Sequence, residues 1–194
     1  MPDSARETSA RDRLLLAAAE LMDAAQGAEV STRAICERAG VHAPTLYHHF
    51  ANKQSLLAAV ADEILARGRR ASSEQLPWDA RVLAVCAELR DAMLAYRDGA
   101  EVVATVHAFG LGAQAPGREL EAALAEGGLG PDLGRTAART LLHYVFGHVS
   151  EEQTHLQASS AGAIDGPPAS ESDFELGLAI VMDGIRLRQR ETAR

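Results

Sequence analysis

The stretch from Ser31 to Phe50 constrains the fold of this chain more than any other part of the sequence. Ser31 and Thr32 are good N-cap residues, and apolar residues then recur at helical spacing up to Gly40. A glycine there can end the helix with a left-handed backbone. Pro44 suits the first turn of a second helix, because its missing N–H would have no partner there in any case. The pattern therefore predicts two short helices joined by a tight turn, which is a helix-turn-helix.

The second of these predicted helices is short and rich in polar side chains. Leu46 and Phe50, four residues apart, would form its buried side, so the polar residues would face outward. In a helix-turn-helix the second helix enters the major groove of DNA, and we predict DNA contacts on that basis. The residues predicted to contact DNA are Thr32, Arg33, His42, Ala43, Pro44, Thr45, Tyr47, His48 and Lys53.

Several of these residues have distinct predicted roles. Arg33 is the best candidate for a guanine contact, because its guanidinium can bind O6 and N7 together. Lys53 follows Asn52, a good N-cap, at the start of a further predicted helix. Backbone N–H groups at a helix start attract anions, so Lys53 is expected to meet a phosphate. Thr45 and Tyr47 are also expected to contact phosphates.

The distribution of charge favours a division of the chain into two parts. The net charge is −8, but residues 1–70 carry nine basic and nine acidic side chains, so the negative excess lies in residues 71–194. DNA binding needs a local basic surface rather than a basic protein. Serines and a proline in residues 71–77 favour a boundary there. We therefore predict a DNA-binding domain in residues 1–70 and a second domain in residues 71–194.

The rest of the sequence predicts helices and no strands. Hydrophobic residues make up 47% of the chain but aromatic residues only 4%, so the core must be mostly Leu, Ala and Val. Leu and Ala favour helix. Residues 158–172, rich in Ala, Ser, Gly and Pro, are predicted to form a mobile loop. Helices are predicted over residues 12–25, 53–70, 78–97, 118–125, 132–155 and 173–190, with a short helix or irregular turn at 100–109.

Composition also bears on where the protein acts. The N-terminal residues are polar, and no apolar run approaches the roughly 20 residues of a membrane span. Cys36 and Cys86 lie within helical patterns, which is typical of a reducing compartment rather than of a disulfide framework. We expect a cytoplasmic protein with no membrane association and no cofactor.

At this point the sequence resembles a known family. The run from Ala43 to Tyr47, followed by Phe50, Asn52 and Lys53, is similar to the DNA-binding domain of the TetR family of repressors, over about residues 13–67. The resemblance implies an all-α protein: a three-helix helix-turn-helix domain joined by a connecting helix to a C-terminal domain for ligand binding and dimerisation. It also implies a repressor that a small-molecule inducer releases from double-stranded operator DNA.

The second domain resembles the tetracycline-repressor type within that family. The similarity lies in residues 96–100 and in Gly147 with the following Glu151 to Gln153. Glu151 stands where that type has a glutamate that helps to hold the water shell of a metal. Val103 replaces a metal-ligating histidine, however, and Arg69 replaces a histidine that contacts the drug. The resemblance therefore implies the same fold with a ligand other than a tetracycline–magnesium complex.

The ligand pocket is predicted inside the second domain, between the fifth helix, the 100–109 segment and the long helix at 132–155. The far end of the fourth helix would touch it, so a ligand could change the spacing of the two recognition helices. His107 is a candidate polar anchor, although a satisfied core histidine is the commoner explanation for a histidine in an apolar stretch. The residues predicted to bind ligand are Arg69, Val103, Thr105, His107, Phe109, His143, Gly147 and Glu151.

The last two predicted helices are more apolar than the surface of one subunit would tolerate. Two copies of each would form a four-helix bundle, which predicts a homodimer. A dimer reads two half-sites, so the operator is expected to be an inverted repeat. The residues predicted at or near the seam are Leu141, Val145, Val149, Val181 and Ile185.

Two other classes of function stay open on the sequence alone. An architectural or protein-interaction factor would share the helix-turn-helix but need no small ligand. A helical enzyme with His107 or His148 as acid–base is less favoured, because no nucleophile–base spacing supports it and we predict no catalytic residue. His148, Glu151, Glu152 and His155 share one side of a helix and could in principle bind a metal. Polar residues at a dimer seam are commoner, so we predict no metal site.

Overall fold

The computed structural model describes residues 9–24, 31–69, 75–165 and 171–192 of the chain. All of the regular structure in those ranges is helical, which confirms the predicted fold class. None of these helices combines the length and the apolar character that crossing a bilayer requires. In chain order the helices are α1 (Ala10–Ala24), α2 (Thr32–Ala39), α3 (Ala43–His49), α4 (Lys53–Gly68), α5 (Trp78–Leu94), α6 (Gly99–Ala108), α7 (Ala115–Glu126), α8 (Pro131–Ser160) and α9 (Glu171–Thr192).

The helix bounds differ from the sequence prediction mainly in the second half of the chain. Residues 99–108 form the regular helix α6, and α7 includes Pro116 in its first turn instead of starting after it. The predicted loop from residue 158 starts too early, because α8 continues to Ser160. The predicted helix end at Gly27, the 70/71 domain boundary and the centre of the predicted loop lie outside the described residues.

Local signals account for the helix-turn-helix formed by α2 and α3. The Ser31 side chain accepts a hydrogen bond from the Ala34 N–H at 3.2 Å and so caps α2. Gly40 ends α2 at a φ of 65°, a left-handed conformation that glycine adopts without a Cβ penalty. Ile35 of α2 and Leu46 of α3 are buried in the core that these helices share with α1. The motif is therefore held by its caps and by apolar packing.

Helix α4 connects this module to the rest of the molecule. Asn52 and Ser55 form a reciprocal capping box at its start, with the Ser55 N–H donating to the Asn52 side chain at 2.8 Å. At its other end Gly68 lies against α5, where a Cβ would come within 2.5 Å of the Ala92 methyl group. The helix is 16 residues long, or about 24 Å at ~1.5 Å per residue. It thus spans from the helix-turn-helix to the body.

Helix α5 lies at the centre of the body, in contact with α4, α6, α7 and α8. A buried ion pair joins it to α8: Arg90 donates to both carboxylate oxygens of Glu152, at 2.7 and 3.1 Å. The Phe174 ring of α9 covers this pair, with its centroid 5.3 Å from the Arg90 guanidinium. Because both charges are buried together and doubly hydrogen-bonded, the pair fixes the mutual position of the two helices.

The structure corrects the predicted dimer seam. Leu141, Val145 and Val149 are fully buried within the single subunit, so helical periodicity identified the core side of α8 rather than its outer side. Val181 is half-buried and Ile185 is buried. The apolar side chains that α9 leaves exposed follow helical spacing along its other side. They are Leu176, Ile180 and Leu187, at 64%, 65% and 56% exposure.

Candidate nucleic-acid interface and ligand cleft

The predicted DNA-contacting residues lie on α2, on α3 and at the start of α4. Helix α3 is anchored by Leu46 and by the following Phe50, both buried, so most of its other side chains face outward. Tyr47 is 54% exposed. Arg33, His42, Ala43, Pro44, Tyr47 and His48 are exposed, whereas Thr32, Thr45 and Lys53 are half-buried. Side chains from α2, α3 and the start of α4 therefore form one surface that DNA can reach.

His49 also lies on this surface, as the outward-facing polar pattern predicts, although it is not among the residues predicted to contact DNA. Its side chain is exposed, and its ring centroid is 5.2 Å from that of His48. The available signal was its place in the short polar helix beside His48, one residue before the buried Phe50. His49 therefore belongs with the candidate DNA-facing side chains.

Acidic neighbours pair with two arginines of the helix-turn-helix. The Arg33 guanidinium lies 2.9 Å from the Glu37 carboxylate, and that hydrogen bond raises the pKa of Arg33 above its ordinary value. Arg38 pairs with Glu20 of α1 at 2.8 Å. Exposed pairs of this kind are weak, because solvent screens them. A phosphate or a guanine can therefore replace Glu37 as the partner of Arg33.

The residues predicted to bind ligand are not brought together in one pocket. Val103 is fully buried in the core, whereas Thr105 lines a separate cavity of about 400 Å³ between α6 and α8. His107 is half-buried, with Nδ1 3.0 Å from the Ala113 carbonyl oxygen and its ring against Phe146. The remaining predicted residues outside the core are exposed: Thr105, Phe109, His143, Gly147, Glu151 and Arg69.

Of these, Arg69 lines a cleft of about 250 Å³ between α4, α5 and α7. The cleft has an apolar wall and charged side chains around it. An ion pair between Arg69 and Glu119, at 2.9 Å, joins the end of α4 to α7. The sequence does not predict this site, because its lining residues come from three helices that are distant in sequence and the predicted helix 118–125 leaves out Ala115 and Pro116. The cleft is lined by Asp62, Leu65, Ala66, Arg69, Val85, Glu88, Leu89, Ala115, Pro116, Arg118 and Glu119.

The turn between α6 and α7 connects this cleft to α4. Ala113 has a φ of 56°, a left-handed conformation that a residue with a Cβ rarely adopts. Its N–H donates to the Asp62 carboxylate at 2.8 Å, and its carbonyl oxygen faces His107 Nδ1. Asp62 of α4 also lines the cleft. A strained turn is thus held by two side chains, one of which borders the cleft.

The metal alternative receives no support from the geometry. Within the described ranges, no group of three or more His, Cys, Asp or Glu side chains is placed to hold a metal ion. Glu152 is the buried partner of Arg90 instead. His148 packs against the Phe174 ring, with centroids 5.2 Å apart. Glu151 faces outward.

A helix-turn-helix with an exposed second helix, joined by α4 to a helical body with a cleft, defines the class of DNA-binding transcriptional regulators. The profile of "Bacterial regulatory proteins, tetR family" matches residues 14–60, and that of "Tetracyclin repressor-like, C-terminal domain" matches residues 72–173. The chain belongs to the TetR family. It is a DNA-binding regulator of transcription.

Individual relatives agree with this assignment. The tetracycline repressor protein class A from transposon 1721 of Escherichia coli is 31% identical, over 91% of this chain and 90% of its own length. The crystal structure of Mycobacterium smegmatis BioQ is 33% identical and covers 89% of this chain and 95% of its own, with a TM-score of 0.77. The crystal structure of BioQ with its double-stranded DNA operator is 31% identical and covers 90% of this chain and 96% of its own, with a TM-score of 0.73. A single-residue variant of TetR from Acinetobacter baumannii AYE, in complex with minocycline, is 27% identical and covers 91% of this chain and 96% of its own, with a TM-score of 0.71.

Proposed function

We propose that this regulator is a dimeric repressor that binds an inverted-repeat operator and leaves it when a small molecule occupies the α4–α5–α7 cleft. The observation that carries the proposal is the position of α4. Its first turn directly follows the recognition helix α3, and its last turn lines the cleft. A ligand that prefers one orientation of α4 therefore also prefers one position of α3.

For DNA binding we propose the surface formed by α2, α3 and the start of α4. All nine residues predicted from the sequence stay in the proposed interface, and His49 is added. Arg33 would exchange Glu37 for a guanine, and Lys53 would meet a phosphate at the capped start of α4. The free energy of operator binding would then divide into a sequence-specific part and a salt-dependent part.

For ligand binding we propose the apolar wall of the cleft, with Arg69 held at its edge by the ion pair with Glu119; their common lining of one cavity supports this. His107 acts indirectly in this proposal, by holding the Ala113 carbonyl in the turn beside the cleft. His143, Gly147 and Glu151 lie four residues apart on the exposed side of α8. We place them at the dimer seam, since the opposite side of α8 is buried within the subunit.

Three further points belong to the proposal. The family profiles end at residue 60 and begin again at residue 72, which supports a domain boundary near 70/71. A regulator of bacterial transcription works where the chromosome is, so we place the protein in the cytoplasm. We assign it no catalytic role, because repression in this mechanism needs binding alone.

The test is selection of bound DNA from a random pool by the full-length protein, followed by fluorescence anisotropy of the enriched site. An inverted repeat is expected, with half-sites about one helical turn or somewhat more apart. A library of small molecules is then added, and compounds that lower operator affinity should also raise the melting temperature of the free protein. Tight operator binding that no stabilising compound weakens would contradict control by ligand and favour an architectural role.

A further inference from the structure

The charged side chains around the α4–α5–α7 cleft differ in whether they already have partners. Three carboxylates and two guanidinium groups line it. Arg69 and Glu119 pair with each other at 2.9 Å, so their charges cancel. Asp62 accepts the Ala113 N–H. Asp62 keeps its negative charge, and among the described residues the lining side chains that make no polar contact are Glu88 and Arg118.

Glu88 and Arg118 differ in their surroundings. Glu88 is half-buried on α5, between Val85 and Leu89 of the apolar wall, whereas Arg118 is exposed on α7. Within the described ranges, the Glu88 carboxylate has no hydrogen bond or ion pair. A partly desolvated carboxylate without a partner is unfavourable, and a cation beside it removes that penalty. An exposed guanidinium stays well solvated and gains less from an anion.

We propose that the inducer of this regulator is a small amphipathic organic cation, a quaternary or protonated amine carried on an apolar group. The ammonium centre lies at Glu88, with Asp62 adding negative potential from the facing helix. The apolar group packs on Leu65, Leu89 and Pro116. An anionic ligand of the same shape would place its charge near two carboxylates. That the cation acts as an inducer rests on the proposed function. The preference of the cleft for a cation rests only on the geometry of its lining residues.

Three probes of matched size test the charge preference: benzyltrimethylammonium, the neutral neopentylbenzene and the anionic phenylmethanesulfonate. Calorimetric titration of the full-length protein should show the cation binding at least tenfold more tightly than the other two. Glu88→Gln keeps the shape of the side chain but removes the charge, so it should weaken cation binding about tenfold or more. Glu121→Gln, on the exposed side of α7 outside the cleft, is the control and should leave it unchanged.

Each other outcome overturns the inference. Tighter binding of the anion, lost in Arg118→Ala, would show that the cleft selects negative charge. Equal binding of all three probes, an unchanged affinity in Glu88→Gln, or no binding of the cation up to millimolar concentration would show that Glu88 does not recognise a cation.

Operator anisotropy separates this inference from the proposed function. If the cation binds through Glu88 but operator affinity does not change, the cleft is cation-selective, but a cation in it is not the inducer and release through this cleft is wrong. If instead a neutral or anionic compound releases the operator, the repressor function stands and the cation inference fails.

Discussion

At the scale of single residues, Gly99 has the least room for any other side chain. A Cβ there would overlap the carbonyl oxygen of Met93, because α6 begins against the end of α5. Backbone cannot move aside as a flexible side chain can. We expect Gly99→Ala to lower the free energy of unfolding by about 2–3 kcal/mol in urea titration. Gly134 is the matched control, since beyond its chain neighbours and the backbone of its own helical turns no atom lies within 4 Å of a Cβ built there. Gly134→Ala in the interior of α8 should raise stability by ~0.5–1 kcal/mol, and equal losses in the two variants would refute the steric argument.

Burial raises the pKa of the Cys86 thiol to about 12. The folded state therefore favours the neutral thiol, whereas an unfolded thiol ionises near pH ~8.5. The contribution to stability is complete below that pH and is lost as pH rises toward 12. We expect the free energy of unfolding to fall more steeply between pH 9 and 11 in the wild type than in Cys86→Ala. Urea titrations at a series of pH values measure this difference, and parallel pH profiles would exclude Cys86 as the cause.

At the scale of elements, the helix-turn-helix predicts two kinds of DNA-binding defect. Arg33→Ala should weaken operator binding about tenfold and relax the choice of one base. Lys53→Ala should weaken operator and random DNA alike, and should reduce the slope of log affinity against log salt by about one. Arg135→Ala, exposed on α8 in the body, serves as the control. Anisotropy with both DNAs at several salt concentrations measures the effects, and a Lys53→Ala variant with an unchanged salt slope would remove Lys53 from the interface.

The elements also show how far sequence reasoning reaches. The caps of α2 and α4 and the turn at Gly40 were predictable because each depends on residues within four positions of one another. The cleft was not, because Arg69, Glu88 and Glu119 are distant in sequence and meet only when α7 packs beside α4 and α5. The prediction that Leu141, Val145 and Val149 lie at the dimer seam was wrong for a related reason. Periodicity shows that Leu141 and Val145 are buried, but not whether their own subunit or a partner buries them.

At the scale of the whole molecule, the exposed apolar stripe of α9 is the feature that a homodimer would cover. Ile180, at its centre, is 65% exposed in the single subunit. We expect Ile180→Glu to give a monomer in sedimentation velocity at micromolar concentration, because burying two carboxylates at a seam is unfavourable. Operator binding should fall with it, since a monomer reads one half-site. Leu111→Glu, similarly exposed at 51% but outside α8 and α9, should stay dimeric, and the reverse pattern would place the seam elsewhere.

The left-handed backbone of Ala113 provides a way to adjust the inducer concentration at which this regulator leaves its operator. A residue with a Cβ holds that conformation at a penalty of ~1–2 kcal/mol, and glycine holds it with none. Ala113 lines neither the cleft nor the DNA-facing surface, so Ala113→Gly alters the balance between two states without altering either recognition surface. We propose that the ligand-bound, released state opens this turn, so in Ala113→Gly the ligand must work against a turn that is about 1 kcal/mol more stable. A titration of operator release should show the half-maximal inducer concentration rising about fivefold, with an unchanged maximum. Variation at this one backbone position could thus set the dose at which the gene responds, while the signal and the operator stay the same.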